Sequence, residues 1–216
     1  MRKILFIFLS FFILTLSAQQ NPIKQKIFLK IDAKYGEYAT RRVKALNKLM
    51  NSIVDSKLKE KLQKVNTFFN QMQFTTDKLL WGKDDYWATR LEFLEKGAGD
   101  CEDFVIAKYF TLKQLGVPTN KLFFTYVKAI KLKQAHMVLT YYKTPTSVPL
   151  VLDNLNPKIL PATLRKDLIP VYSFNGDSLY LAKQQGLGRI IPSGMKKNKK
   201  WFNLIDKIRR ENHDAF

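Results

Sequence analysis

Of the 216 residues in this sequence only Cys101 is a cysteine. A thiol does chemistry as its thiolate, the form that attacks a carbonyl carbon. The residues around Cys101 suit that use. Asp100 stands where a helix N-cap belongs, and Phe104, Val105, Ala107, Tyr109, Leu112 and Leu115 follow at helical spacing until Gly116 and Pro118 stop the run. A thiol in the first turn of that helix faces the positive end of its dipole, which favours the thiolate. A proton donor is then needed for the group that leaves, and histidine suits that role near neutral pH. The sequence has two histidines. His213 lies close to the C-terminus, so His136, at the start of a strand-like stretch, is the candidate. An imidazole in turn needs an acceptor to orient it, and Asp153 ends the next strand-like stretch. A hairpin turn centred between Thr144 and Pro145 would set His136 directly opposite Asp153, where Cβ atoms lie about 4.5–5.5 Å apart. Asn154 would point to the other face. The competing reading of the same residues is a buried, inert cysteine.

Three carboxylates, Asp100, Glu102 and Asp103, crowd the thiol. Negative charge nearby raises a thiol's pKa. Acidic residues are common in the first turn of a helix, which is one explanation. The other is a divalent cation held by their oxygens, which would reverse the local field. Oxygen-only donors suit calcium rather than zinc, although the spacing is not that of an EF-hand loop.

These residues need a scaffold. Apolar residues recur at helical spacing through Val43, Leu46, Leu49, Met50 and Ile53, and again through Leu58, Leu62, Val65, Phe68 and Phe69, with Asp55 or Ser56 as an N-cap between the two runs. Gln19 to Lys34 reads as a polar linker with a first short element, and Phe74 to Glu95 as a loop anchored by Trp81, Tyr86 and Trp87. After Gly116 the period changes. Leu122–Ile130, Ala135–Tyr142, Pro149–Leu155 and Leu168–Phe174 are strand-length and rich in β-branched and aromatic residues, and Ser178–Leu181 pairs back across an Asn175-Gly176-Asp177 turn. A terminal helix is expected over Lys196–Arg210. Helices followed by strands make an α+β domain.

Residues 1–18 read as a cleaved secretory signal: Met1, Arg2 and Lys3 are followed by the apolar run Ile4–Leu16, then small Ser17 and Ala18. An uncleaved membrane anchor is the alternative. Residues 19–216 then form one domain outside the cytoplasm, in a periplasm or beyond. A single thiol in an oxidising compartment leaves no intramolecular disulfide to form. Lysine and arginine number 37 against 18 acids, a net charge of +19, or +17 without Arg2 and Lys3. That balance invites nucleic acid or an anionic membrane surface as partner. No nucleic-acid-binding motif accompanies it, so no nucleic acid partner is expected. Peripheral membrane contact through the basic C-terminal tail stays open.

The run Gly99-Asp100-Cys101-Glu102-Asp103-Phe104, followed by Ala107-Lys108-Tyr109, resembles the nucleophile motif of the bacterial transglutaminase-like cysteine peptidases. His136-Met137-Val138-Leu139 resembles their histidine motif and Leu152-Asp153-Asn154 their aspartate motif, in the family's order. The resemblance spans roughly Lys83 to Leu181, and its best-known members are periplasmic proteases of the LapG type. It implies a papain-like, transglutaminase-like fold with the nucleophile at a helix start packed on an antiparallel sheet. It also implies calcium dependence, cleavage near the N-terminus of a large surface adhesin (biofilm dispersal), and sequestration by an inner-membrane receptor that senses cyclic di-GMP. Carried onto this sequence, the triad is Cys101, His136 and Asp153, and the calcium ligands come from Asp100, Glu102 and Asp103. One departure stands out: where family members often show Trp-x-Thr-Pro, this sequence has Trp87-Ala88-Thr89-Arg90, which puts the conformation of that loop in question.

The leading expectation is therefore a cysteine endopeptidase, with the Cys101 backbone N–H and a donor from Trp87 holding the oxyanion. Transglutaminase-type acyl transfer uses the same triad with an amine in place of water. A calcium-dependent binding module with an inert Cys101 is the alternative outside enzymology.

Overall fold

The computed structural model describes residues 25–215, so the expected signal at 1–18 and the start near Gln19 lie outside the described residues. Among the described residues are seven α-helices, a six-stranded antiparallel sheet and a two-stranded parallel one. The expected α+β class is found, with the nucleophile helix packed on an antiparallel sheet.

The N-terminal half is helical. Helix α1 (Gln25–Tyr35) leads through Gly36 into α2 (Glu37–Ile53), and α3 (Leu58–Phe69) follows. Helix α2 buries Ala39, Val43, Leu46, Met50 and Ile53, while α3 buries Leu62, Val65, Asn66 and Phe69. Most of the apolar stripes read from the sequence are buried, with two polar intruders, Thr40 and Asn66, while Leu49 and Phe68 are partly buried and Leu58 is exposed. The segment expected to be a loop contains more order than its pattern suggested. It holds β1 (Gln73–Phe74) and two short helices, α4 (Asp77–Trp81) and α5 (Arg90–Lys96). Helices of one or two turns are too brief to show a 3.6-residue period and are held by tertiary contacts instead. In α5 those contacts are visible. Thr89 Oγ1 accepts from the Glu92 N–H at 3.1 Å, and Glu92 accepts from the Thr89 N–H at 2.8 Å. At its other end Arg42 donates to the carbonyls of Leu94 and Glu95, both at 2.6 Å. Gly97 closes the helix at φ 68°, and a Cβ there would meet the Arg42 guanidinium at 2.8 Å.

From Gly97 the chain pairs β2 (Ala98–Gly99) in parallel with β1 and enters α6 (Cys101–Gln114). Helix α6 is buried nearly all round, Phe104 through Tyr109 included, because it lies between α3, α5 and the sheet. The sheet comprises β3 (Leu122–Ala129), β4 (Gln134–Tyr141), β5 (Leu150–Leu152), β6 (Leu160–Pro161), β7 (Leu168–Phe174) and β8 (Leu179–Leu181), in the order β6-β5-β4-β3-β7-β8. Strand β5 is shorter than expected and ends at Leu152, so Asp153 and Asn154 fall in the loop beyond it. The last helix, α7 (Lys199–Ala215), is longer than expected. It buries Trp201 and Leu204 in the core rather than trailing as a tail. Among the described residues no helix is long and apolar enough to cross a membrane.

Candidate active site

Cys101 is the first residue of α6, and three local features put it there. Gly97 allows the turn out of α5. Gly99 allows a close approach: a Cβ on it would sit 2.8 Å from Asp103 Cβ and 2.8 Å from Phe93 Cδ2. Asp103, fully buried, spends both oxygens on backbone: Oδ1 accepts from the Ala88 N–H at 2.8 Å and Oδ2 from the Asp100 N–H at 3.3 Å. The helix start is therefore tied to the Trp87-Ala88 loop by one carboxylate.

Strand β4 supplies His136 and the loop after β5 supplies Asp153. His136 Nε2 and Asp153 Oδ1 are 2.8 Å apart, with the residues only 3% and 1% exposed. The expected partnership is present, but its expected register is corrected. The β4–β5 ladder pairs Leu139 with Leu152 and Tyr141 with Leu150. Continued outward, it would put Leu155 opposite His136, so Asp153 is a diagonal neighbour reached across a strand end. Diagonal positions lie about 7–8 Å apart at the backbone, within reach of an imidazole and a carboxylate. Because pairing stops at Leu152, Asp153 is free of the pleat's alternation and can turn its side chain toward the histidine.

Asp153 is held from several sides. Oδ1 also accepts from the Leu155 N–H at 3.0 Å, and Oδ2 accepts from Arg165 at 2.7 Å. Arg165, 2% exposed, in turn donates through Nε and Nη2 to Asp167 at 2.9 and 2.8 Å. Asn70, the residue that caps the end of α3, donates to the Asp153 carbonyl at 2.7 Å, and Asn66 of α3 to that of Pro157 at 3.1 Å. Burial alone would raise the Asp153 carboxyl, but the hydrogen bonds from His136 and Arg165 outweigh it and hold the group down at about 2. Arg165 was not foreseen, because a single arginine in a polar loop carries no pattern.

The thiol lies next to the histidine strand, with the backbone N–H of Met137, the residue after His136, directed at the sulfur. Its own hydrogen bond goes elsewhere: Cys101 Sγ donates to Glu102 at 3.0 Å. Burial pushes the thiol far above its usual range, and the charges of Glu102 and Asp100 add to that; the Met137 N–H opposes them. The same negative field acts on the carboxylates. Burial first, then Glu102, Asp103 and Asp77, push Asp100 up to about 10.

The carboxylates that converge are not quite those expected. Asp77, from the start of α4, joins Asp100 and Glu102, with one oxygen of each within 4.8 Å of the others. Asp103 is excluded because both its oxygens are committed to backbone amides. Asp77 Oδ1 and Asp100 Oδ1 are buried without a hydrogen-bond partner. Orphaned acceptors in a converging, oxygen-only set fit a hard divalent cation such as calcium. Asp77 lies far upstream in a segment read as loop, so only folding reveals it.

Trp87 is 5% exposed and stacks with Phe124 and Phe174 at ring distances of 6.4 and 6.1 Å. It is a core side chain, and its Nε1–H has no protein partner. Arg90, the departure noted in the sequence, is the first residue of α5. Proline is tolerated there because that N–H is not needed, and the Thr89–Glu92 capping box starts the helix equally well with arginine. The loop conformation is thus secured without proline.

Lys108 was also missed. It is 0% exposed, its Nζ has no hydrogen-bond partner, and it lies 5.8 Å from the Phe104 ring centroid. Burial lowers it to about 7, with the charge of Asp153 opposing. A signal existed: Phe104, Lys108 and Leu112 fall on one stripe of α6, and one charged residue interrupts it.

The profile of the bacterial transglutaminase-like cysteine proteinases (BTLCP) matches residues 30–166. Among curated proteins none matches the chain. Among solved structures, calcium-bound LapG of Legionella pneumophila is 43% identical, with a TM-score of 0.73 over 85% of this chain and 98% of that one. Two further structures of Legionella pneumophila LapG, one of them EGTA-treated, are each 44% identical, with a TM-score of 0.72 over 84% of this chain and 96% of theirs. By the matched residues, the shared fold and this degree of identity, the chain belongs to the bacterial transglutaminase-like cysteine proteinase family and is a cysteine peptidase.

Proposed function

We propose that Cys101, His136 and Asp153 are the catalytic triad of a calcium-dependent endopeptidase acting outside the cytoplasm. Its proposed substrate is the N-terminal region of a large surface adhesin, released from the cell by the cut. Its proposed regulator is an inner-membrane receptor that senses cyclic di-GMP. The observation that carries the catalytic reading is the buried His136–Asp153 pair, braced by Arg165, beside a thiol at a helix start. The adhesin, receptor and periplasmic location rest on the motif resemblance and on the likeness to LapG.

With Nε2 bound to Asp153, the imidazole has Nδ1 for exchange with the thiol. The Cys101 thiolate attacks the scissile carbonyl carbon and forms a C–S bond, and the backbone N–H of Cys101 supports the oxyanion. Trp87 Nε1–H is the candidate second donor. His136 gives its proton to the amine as the C–N bond breaks, leaving a thioester. His136 then takes a proton from water, which attacks the thioester and releases the acid and the thiol. Asp153 keeps the ring oriented and supports its charged form. Asp77, Asp100 and Glu102 would hold a calcium ion, which would supply the positive charge that offsets the carboxylates now opposing the thiolate.

Calcium is therefore expected to raise both activity and stability. Returned to chelator-treated protein at 100-fold above its dissociation constant, it should stabilise the fold by about 2.7 kcal/mol. Asp77→Asn should move the half-saturation upward by tenfold or more. Thermal unfolding against calcium concentration checks this, and an unfolding midpoint indifferent to calcium would remove the ion from the account. The substrate reading is tested by incubating residues 19–216 with the N-terminal region of an adhesin from the same genome and sequencing the products. One cut that Cys101→Ser abolishes supports it; an intact adhesin with a reactive thiol would redirect the search to another protein substrate.

A further inference from the structure

Helix α7 lies beyond the residues matched by the family profile, yet it is built into the surroundings of the nucleophile. Trp201 anchors it, meeting Phe124 and Phe174 edge-on at 5.4 and 6.1 Å and stacking on Phe110 at 6.2 Å. One turn further along, Leu204 is fully buried. This anchoring aims two later residues at the loop between α4 and α5. Lys207 Nζ donates to the Trp87 carbonyl at 2.6 Å and to Glu92 Oε2 at 3.0 Å, and sits 3.8 Å from the Tyr86 ring centroid. Glu92 also accepts from the Tyr86 hydroxyl at 2.6 Å. The Thr89 hydroxyl donates to Glu211, and Lys200 pairs with Asp85. Residues 85, 86, 87 and 89 are thus held by α7, directly or through Glu92.

That loop has no ladder of its own, so these bonds are its main restraint. It is also the loop whose two amides end on buried carboxylates: the Tyr86 N–H on Asp77 and the Ala88 N–H on Asp103. Asp77 belongs to the converging cluster, and Asp103 fixes the start of α6 through the Asp100 N–H.

We propose that α7 is a brace of the active site, with Lys207 and Glu211 as positioning residues that lock the 85–89 loop and, through its two amides, fix Asp77 and Asp103. A charged group donating to a half-buried carbonyl makes a stronger bond than a neutral donor, so Lys207 is the principal clamp. The loop-locking role is independent of the peptidase reading; its consequence for calcium rests on the cluster proposed above.

The test compares Lys207→Met and Glu211→Gln with wild type and with Arg209→Met, a control on the exposed side of α7. Amide hydrogen exchange across 82–92 and calcium half-saturation by thermal shift are measured on the whole chain. Lys207→Met should speed exchange at Tyr86 and Ala88 at least tenfold and raise the calcium half-saturation severalfold, with β3 and β4 as protected as before. Glu211→Gln should act in the same direction more weakly, Lys207→Arg should restore most of the protection, and Arg209→Met should match wild type. Unchanged exchange at 85–89 in both Lys207→Met and Glu211→Gln would overturn the proposal. So would a loosened loop with calcium half-saturation unmoved, because the two amides would then transmit nothing. Loss of calcium response in wild type would instead count against the cluster reading and leave the exchange result to decide the brace.

Discussion

Asp153→Asn is expected to lower peptide cleavage by about 10⁴-fold while the fold persists. The amide can still lie against His136, but it no longer imposes the tautomer with hydrogen on Nε2, nor does it stabilise the imidazolium that forms when the thiol gives up its proton. The stability cost is separable by pH. The folded carboxyl is held at about 2, below its unfolded value of about 3.9, by bonds from His136 and Arg165 that outweigh its burial. Its contribution is therefore complete above about pH 4 and is lost as pH falls through 2, and it amounts to about 2–3 kcal/mol. Arg165 keeps Asp167 when Asp153 is neutralised, so the guanidinium is not left bare. Urea unfolding at pH 7 should show the variant destabilised by that amount, and the gap should close toward pH 2. A variant that cleaves within tenfold of wild type would remove Asp153 from the orienting role.

Lys108→Met is expected to stabilise the protein by about 1–4 kcal/mol at pH 7. The lysine is fully buried with an unpartnered ammonium, and methionine fills a similar volume without a charge. The sign with pH is distinctive. Burial lowers Lys108 to about 7 in the fold, against about 10.4 in the unfolded chain. Below pH 7 both states hold the proton, and the penalty of burying charge is present in full. Between about 7 and 10 the unfolded chain binds a proton the fold does not, so wild-type stability gains on the variant as pH rises. Urea midpoints of both proteins at pH 6.5 and 9.5 should show the variant's advantage shrinking. A less stable variant, or an advantage that ignores pH, would mean that Lys108 is paired in the fold and charged throughout.

The parts of this site that were legible in the sequence are those carried by local physics. Cys101 at a helix start followed from Asp100 before it, the apolar stripe behind it and Gly116 after. The long strands β3, β4 and β7 showed their composition plainly, and each lies within a residue or two of its expected bounds. What was not legible depends on where chains meet. The β4–β5 register was set wrongly because it was inferred from the turn's centre, whereas the ladder is set by Leu139, Tyr141, Leu150 and Leu152 facing the core. Asp77 and Asp103 exchanged places in the carboxylate cluster for a similar reason. The sequence shows Asp103 beside the thiol, but only the fold shows the Ala88 and Asp100 amides that occupy its oxygens and the α4 start that delivers Asp77. A terminal helix was expected over Lys196–Arg210, but as part of a basic tail, because charge dominates its composition. Trp201 and Leu204, buried in the core, with Ile205 and Ile208 packed against it, are what dock the helix.

The role proposed for Cys101 is that of a thiolate beside His136 once the neighbouring carboxylates are offset. Alkylation of the single cysteine against pH, with calcium and with a chelator, tests it most directly. In calcium the reaction midpoint of wild type is expected to lie well below about 8.5, to rise in His136→Ala, and to move far upward when calcium is removed. A thiol that stays unreactive in calcium, or that reacts as a free cysteine with or without the ion and the histidine, would contradict it.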